Sequence, residues 1–129
     1  MRLERLEGRY AVARAAAAEP LPAGLFGAAG LVSATRLGDE LSLVVPEEAL
    51  AALEALERVE RGFAAFRVAG TLDFALTGVL ADLAGALASA EISLFAISTF
   101  DTDCILVRED RAEAAAEAWR AAGHEVAGA

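Results

Sequence analysis

The chain has 129 residues, 57% of them hydrophobic, and a formal net charge of -9 at pH 7. This length and hydropathy are typical of one compact domain, or of two very small ones, and not of a disordered protein. The negative charge argues against sequence-independent binding to DNA or RNA and against binding to an anionic membrane surface, because both require clustered basic side chains. We therefore expect no nucleic-acid partner and no membrane partner.

The sequence favours a cytoplasmic protein. No apolar run approaches the roughly 18 residues of a membrane-spanning helix. The first seven residues are rich in charge and do not resemble a signal peptide. Cys104 is the single cysteine, which excludes an internal disulfide and is typical of a reducing compartment.

The first half of the chain predicts mainly strands. In chain order we expect a short strand, an irregular segment and a β-hairpin: residues 10–13, 16–30, and 31–37 with 40–45. The irregular segment contains Pro and Gly residues that disfavour a long helix. The hairpin turns at Gly38 and Asp39, between two apolar runs.

A helix is predicted over residues 46–61. Pro46 suits the first position of a helix, and the two glutamates that follow it suit the first turn, where the helix dipole favours anions. Three leucines then fall on one helical face, and Arg61 and Gly62 are expected to end the helix.

The second half predicts the order β-α-β-β-α-β, which is the ferredoxin-like split pattern. We expect a strand, a helix capped by Asp73, a hairpin, a helix and an edge strand: residues 63–68, 74–89, 92–107, 111–122 and 124–126. In the first helix, four leucines recur at steps of four, three and four, as on the buried face of an amphipathic helix.

The two hairpins suggest an internal repeat. Thr35 and Asp39 in the first hairpin have the same spacing as Thr99 and Asp103 in the second. We predict a truncated repeat over residues 8–61 and a complete repeat over residues 62–129, packed as one compact unit. An exchange of terminal strands between the repeats stays open, because residues 63–68 link them.

The tip of the second hairpin, residues 98–103, carries hydroxyl and carboxylate groups that either stabilise the turn or hold a small polar ligand. Residues 70–73 are expected to form the N-terminus of the following helix, beside this tip. A helix N-terminus offers unpaired N–H groups to a carboxylate, and an ammonium or guanidinium group requires a carboxylate acceptor. Side chains with suitable chemistry are Asp73, Asp101 and Asp103 as acceptors, Ser98 and Thr99 as hydroxyls, and Phe100 for stacking.

Each of these residues also has a simpler interpretation. Asp73 is an ordinary helix N-cap residue, and Asp101 and Asp103 bond their own turn. A divalent cation held by the Asp-x-Asp pair is a further alternative, although two carboxylates are few ligands for it. We expect no catalysis, because His124 is expected to be exposed or in an edge strand, and Cys104 to be a buried small hydrophobe.

Three segments together resemble a known family. Residues 33–48, 72–78 and 92–103 resemble small bacterial ACT-domain proteins, which are similar to the ACT halves of the CASTOR arginine sensors. The resemblance implies βαββαβ modules that pair into wider sheets and bind amino acids or other small effectors at the seam. It also implies ligand contacts from the strand backbone at Ser93 and Leu94, and from Thr99, Phe100 and Asp103 in the hairpin.

Together these observations predict an α+β, ferredoxin-like βαββαβ (ACT-like) fold, built as a tandem repeat with a truncated first copy. The expected function is non-catalytic, regulatory binding of a small molecule, in particular an amino acid, by a homodimer or higher oligomer. The alternative is a structural module whose sheet face drives oligomerisation without a ligand. We predict no cofactor and no metal. The candidate ligand-binding residues are Gly70, Thr71, Leu72, Asp73, Ser93, Leu94, Ser98, Thr99, Phe100, Asp101 and Asp103.

Overall fold

The structure is a computed structural model and describes residues 1–73 and 77–128. Within these residues the chain forms strands and two α-helices, with 3₁₀ turns between them. The strands are β1 (Arg2–Arg5), β2 (Tyr10–Ala16), β3 (Ser33–Leu37), β4 (Glu40–Pro46), β5 (Arg58–Val68), β6 (Phe95–Ser98), β7 (Asp103–Arg108) and β8 (Glu125–Gly128). The α-helices are α1 (Val79–Ser89) and α2 (Ala112–Ala121), and the 3₁₀ turns are Leu25–Gly27, Glu47–Ala52 and Glu109–Arg111.

The chain divides into two compact units. The terminal unit consists of Met1–Glu7 and Phe63–Ala129, and the inserted unit is Gly8–Gly62. The inserted unit therefore lies in the sequence between two pieces of the terminal unit. The division into repeats over residues 8–61 and 62–129 stays a prediction. The predicted boundaries leave out β1, which belongs to the terminal unit.

The terminal unit has the strand order β6-β7-β5-β1-β8. β5 to β8, with α1 and α2 between them, follow the predicted β-α-β-β-α-β order, so the ferredoxin-type α+β fold is confirmed. β1 runs antiparallel to β5, and β8 runs parallel to β1. The first strand of the chain thus separates β5 from β8, and the predicted edge strand near residues 124–126 is confirmed as β8.

Both helices pack on this sheet around Trp119, which is fully buried. The Trp119 ring meets Phe66 of β5 edge-on, with 5.0 Å between centroids. Its indole Nε1–H donates a hydrogen bond of 3.0 Å to the carbonyl oxygen of Leu83 in α1. Neither these helices nor any other in the described part of the chain is long and apolar enough to cross a membrane.

The inserted unit consists of strands joined by turns, two of which are 3₁₀ turns. Its strand order is β3-β4-β2-β5, with β5 represented by its first residues, 58–62. The predicted hairpin is confirmed, since β3 and β4 pair antiparallel from Ser33 with Val44 to Leu37 with Glu40. The Pro- and Gly-containing segment before β3 forms only the short 3₁₀ turn Leu25–Gly27, as expected.

The predicted helix over residues 46–61 is wrong. Only the 3₁₀ turn Glu47–Ala52 forms, and β5 begins at Arg58. Ala55 has a left-handed backbone, with φ of 54°, and this interrupts any helix. The leucines nevertheless reach the apolar clusters of the inserted unit. Tertiary structure overrides helix propensity here. The Glu57 N–H donates a 2.8 Å hydrogen bond to the carbonyl of Arg14 in β2, so the chain joins the sheet just before β5.

The first predicted helix of the terminal unit starts later than expected. α1 begins at Val79, after an N-cap at Gly78 whose φ is 81°, so Asp73 is not its cap. The expected helix start at residues 74–76 lies outside the described residues. Glycine adopts this left-handed conformation readily because it has no Cβ. A usual N-cap residue such as aspartate instead has an extended backbone.

The short strand β1 was missed by the sequence interpretation. Leu3 and Leu6 are three residues apart among charged residues, whereas a half-buried strand has apolar residues at every second position. Leu3 is nevertheless fully buried, opposite Val68 in the register of β5. The alternation of exposed Arg2 and buried Leu3 is too short to identify a strand without its partners.

We expect Leu83→Ala to lower the free energy of unfolding by on the order of 2–5 kcal/mol, because Leu83 is fully buried and its truncation leaves a cavity. The matched control is Leu37→Ala, since that leucine is 75% exposed, and we expect about 0.5 kcal/mol or less. Urea unfolding of both variants measures the difference. Equal losses would contradict the packing described for α1.

Candidate functional site

The tip of the β6–β7 hairpin is a compact polar turn. Ser98 and Asp103 pair across the two strands, and the Ser98 hydroxyl donates a 2.6 Å hydrogen bond to Asp103 Oδ1. The turn is closed by Thr99 and Thr102: the Thr99 N–H bonds the Thr102 carbonyl at 2.8 Å, and the Thr102 N–H bonds Thr99 Oγ1 at 3.1 Å. The threonines therefore close the turn, and Asp103 accepts a bond within its own hairpin, as its simpler interpretation expected.

Two hydrogen bonds join this tip to the segment that follows β5. The Thr102 hydroxyl donates 2.8 Å to the carbonyl oxygen of Val68, the last residue of β5. The Leu72 N–H donates 2.7 Å to the carbonyl oxygen of Asp101. These bonds bring residues 70–73 beside the tip, as the sequence predicted, although residues 70–73 do not form the start of α1.

The N-terminus of α1 also approaches the tip. Its first described intrahelical bond runs from the Asp82 N–H to the Gly78 carbonyl, at 2.8 Å. The backbone N–H groups of Val79, Leu80 and Ala81 belong to the first turn, where an α-helix offers its amides no intrahelical acceptor. The partial positive charge of the helix is concentrated at the same end.

A pocket of about 320 Å³ lies between these parts. Its described lining combines the segment after β5, the first turn of α1 and the hairpin tip: Leu72, Asp73, Gly78, Val79, Leu80, Ala81, Ser98, Thr99, Phe100, Asp101, Thr102 and Asp103. The ionisable side chains in this described lining are all aspartates. The pocket therefore combines acidic side chains with the positive end of a helix.

The structure brings most of the predicted site residues to this one pocket. Predicted residues in the lining are Leu72, Asp73, Ser98, Thr99, Phe100, Asp101 and Asp103. Four predicted residues lie outside it: Gly70, Thr71, Ser93 and Leu94. Leu94 instead packs against the core of the terminal unit, and Ser93 is exposed. Their role in binding stays a prediction.

Sequence interpretation missed the part of the lining that α1 and Thr102 provide. Gly78, Val79, Leu80 and Ala81 were placed inside a longer helix, because Asp73 looked like its cap. The glycine at position 78 was the available signal, since a glycine before an apolar run can also start a helix. Thr102 was treated as part of the turn, and its reach to Val68 depends on tertiary structure.

His124 is buried, with 8% exposure, so the expectation of an exposed residue is wrong. It lies just before β8, where its Nδ1 is 3.0 Å from the Met1 nitrogen and its Nε2 is 3.0 Å from Asp82 Oδ2. The second contact is not aligned as a hydrogen bond, and we treat it as an electrostatic contact. Contacts from β1 and α1, which are remote in sequence, explain why its burial was not foreseen.

Cys104 lies in β7 and is 4% exposed, as expected for a small buried hydrophobe. Burial raises the pKa of the Cys104 thiol, nearby Arg67 opposes this, and Asp103 adds to it. In residues 1–73 and 77–128, no group of three or more His, Cys, Asp or Glu side chains could hold a metal ion.

Comparisons with known proteins give a family match in the second half of the chain. Among protein-family models, that of the ACT domain matches residues 58–120, which run from β5 through most of α2. A search of curated proteins found no significant match. The resemblance to the CASTOR arginine sensors therefore rests on the sequence motifs alone and stays a prediction.

Solved structures extend the similarity to the whole chain. The Agobacterium tumefaciens protein Atu0741 is 34% identical over 99% of this chain and 92% of its own, with a TM-score of 0.87. A Vibrio cholerae protein of unknown function is 21% identical over 90% and 84%, with a TM-score of 0.69. The ligand-free regulatory subunit of aspartate kinase from Thermus thermophilus is 17% identical over 93% and 95%, with a TM-score of 0.66.

Because burial raises its pKa, the Cys104 thiol should stay protonated at pH 8 and react slowly with iodoacetamide in the folded protein. We expect alkylation at least about tenfold slower than in the urea-unfolded chain, as followed by mass spectrometry. The folded-state rate should rise as the pH increases further. Equal rates in the folded and unfolded chains would contradict the described burial.

Proposed function

We propose, from the match of residues 58–120 to the ACT-domain model, that the chain is a regulatory protein that binds a small effector in the pocket between α1 and the β6–β7 tip. We propose further that the effector is an amino acid. The observation that carries this proposal is the pocket itself, because carboxylates and a helix N-terminus line one cavity of about 320 Å³.

The two charged ends of an amino acid match the two kinds of groups in the lining. Its carboxylate would accept hydrogen bonds from the first-turn N–H groups at Val79, Leu80 and Ala81, where the helix dipole adds a favourable interaction. Its ammonium would donate to the carboxylates. Asp103 is suited to this role because the Ser98 hydroxyl holds Oδ1 at 2.6 Å, which orients the carboxylate.

The volume of the pocket supports a ligand of amino-acid size. Small-molecule pockets generally span about 300 to 1,000 Å³, and this one lies at the lower end. Phe100, which is 80% exposed and lines the pocket, offers an aromatic surface to the side chain of a bound ligand. Stacking of that ring on an aliphatic or guanidinium group would add to the binding energy.

The fold neighbours support a regulatory role in preference to the purely structural alternative. The Thermus thermophilus neighbour is a regulatory subunit of aspartate kinase in its ligand-free form. Regulation by a bound ligand is the role that its description suggests for a protein of this fold. Arginine, the ligand of the CASTOR sensors, belongs in the panel of test ligands because of the motif resemblance.

The remaining parts of the proposal concern assembly and chemistry. We propose a non-catalytic protein of the cytoplasm that acts as a homodimer or higher oligomer. Burial of Cys104 and His124, at 4% and 8% exposure, supports structural roles for the two side chains best suited to nucleophilic or acid–base chemistry.

A thermal-shift screen against the twenty amino acids tests the ligand. We expect one amino acid, at 100 times its dissociation constant, to add about 2.7 kcal/mol of stability and raise the melting temperature by several degrees. Asp103→Asn should abolish most of this shift, because it removes the negative charge but keeps an oxygen for the Ser98 bond.

The matched control is Asp39→Asn, because Asp39 stands at the same position relative to Thr35 in the other hairpin as Asp103 does relative to Thr99. It should leave the shift unchanged. The melting temperature of the unliganded protein should change little in either variant. If no amino acid stabilises the wild-type protein, the amino-acid proposal fails, and if Asp39→Asn removes the shift as well, the proposed site is wrong.

A further inference from the structure

We propose that Thr102 is a positioning residue that fixes one wall of the pocket against the end of β5, the strand from which the other wall continues. This inference rests on the proposed function, because it concerns the same pocket, but its main test needs no ligand. One wall is the hairpin tip. The other consists of Leu72, Asp73 and the first turn of α1, all of which follow β5 in the chain.

In the described backbone hydrogen bonds, the segment that follows β5 is joined to the sheet at its first residue, Ala69. Val68 pairs with Leu3 in β1 and is 1% exposed. The next amide, Ala69 N–H, donates 2.8 Å to the Arg2 carbonyl. Beyond this point the described backbone bond is the one from Leu72 to Asp101, at 2.7 Å, which reaches the tip and not the sheet. The Leu72 side chain packs against the core of the terminal unit, whereas its backbone is held by the tip.

The tip in turn is fixed to the end of β5 by a side chain. The Thr102 hydroxyl donates 2.8 Å to the Val68 carbonyl, and this contact is partly buried. The Ser98 and Thr99 hydroxyls bond partners inside the hairpin, so they shape the turn without attaching it to β5. Thr102 differs from them because its bond leaves the hairpin.

The two contacts act in series. Thr102 fixes the tip against Val68, and the carbonyl of the adjacent residue, Asp101, then holds Leu72. Removing the hydroxyl leaves the buried Val68 carbonyl with one partner fewer. Residues 99–102 lie beyond the ladder between β5 and β7 and would then be freer to move relative to β5. Asp101 would lose its fixed distance from the N-terminus of α1. A ligand that must contact both walls would bind more weakly.

Thr102→Val and Thr102→Ser separate the hydroxyl from the shape of the side chain. Valine keeps the branched shape and loses the donor, whereas serine keeps the donor. The measurement is hydrogen exchange at the Leu72 amide in the unliganded protein, compared with the Leu106 amide in the core of β7. We expect Thr102→Val to accelerate Leu72 exchange roughly five- to tenfold while Leu106 stays at the wild-type rate.

Thr102→Ser should restore slow exchange at Leu72. Unchanged exchange at Leu72 in Thr102→Val would overturn the proposal. So would an equal acceleration at Leu72 and Leu106, because that would reveal a general loss of stability and not a local positioning role. Circular dichroism of each variant establishes that the fold is retained before exchange is compared.

A second readout uses the amino acid that gives the largest wild-type shift in the thermal screen. Its dissociation constant should rise at least about fivefold in Thr102→Val and stay near the wild-type value in Thr102→Ser. If no amino acid stabilises the wild-type protein, the proposed function fails, and the exchange experiment still decides the role of Thr102. An unchanged dissociation constant in Thr102→Val would count against it.

Discussion

The indole N–H of Trp119 must find an acceptor, because an unsatisfied donor in a core with no solvent access is strongly unfavourable. It finds the carbonyl of Leu83, at 3.0 Å, and thereby ties α2 to α1. The same ring meets Phe66 edge-on, which fixes the pair of helices on β5. With α1 held on the sheet in this way, its first turn lies beside the hairpin tip. The candidate site therefore depends on a contact that none of its own residues makes.

Single strands contribute residues both to the polar tip and to the apolar core. β7 begins with Asp103 at the pocket and continues with Cys104 and three further buried residues. Because the strand is rigid, the position of Asp103 is set by the packing of residues that cannot contact a ligand. This explains how a short turn with exposed side chains holds a defined geometry. Its own threonine bonds close the turn, and the core below it sets its place.

Local patterns were sufficient for the hairpins, for α2 and for the order of elements from β5 to β8. Local patterns failed where the same residue spacing fits two different backbone structures. The leucines at 50, 53 and 56 fit one face of a helix, yet they reach the core from a 3₁₀ turn and an extended segment. Asp73 fits an N-cap, yet the helix starts at Gly78. In both cases a left-handed residue, Ala55 or Gly78, decided the outcome, and sequence patterns signal such residues weakly.

The candidate site was foreseen to the extent that it lies in contiguous sequence. The tip residues and Leu72 with Asp73 could be identified, because their chemistry is visible in short segments. The α1 contribution was missed together with the helix start, and the link from Thr102 to Val68 joins residues 34 positions apart. Pairings of that range are set by the sheet, and only the assembled fold reveals them.

The place of β1 has a consequence for how the protein folds. Arg2 pairs with Glu125 in the parallel ladder between β1 and β8, so one ladder joins segments separated by more than a hundred residues. Such a contact requires a large loop to close before it contributes any stabilisation, which slows folding. During synthesis β1 leaves the ribosome long before β8 exists, whereas the strands of the inserted unit are synthesised consecutively. The order of assembly is thereby biased: the interior of the sequence can fold early, and the terminal sheet is completed last.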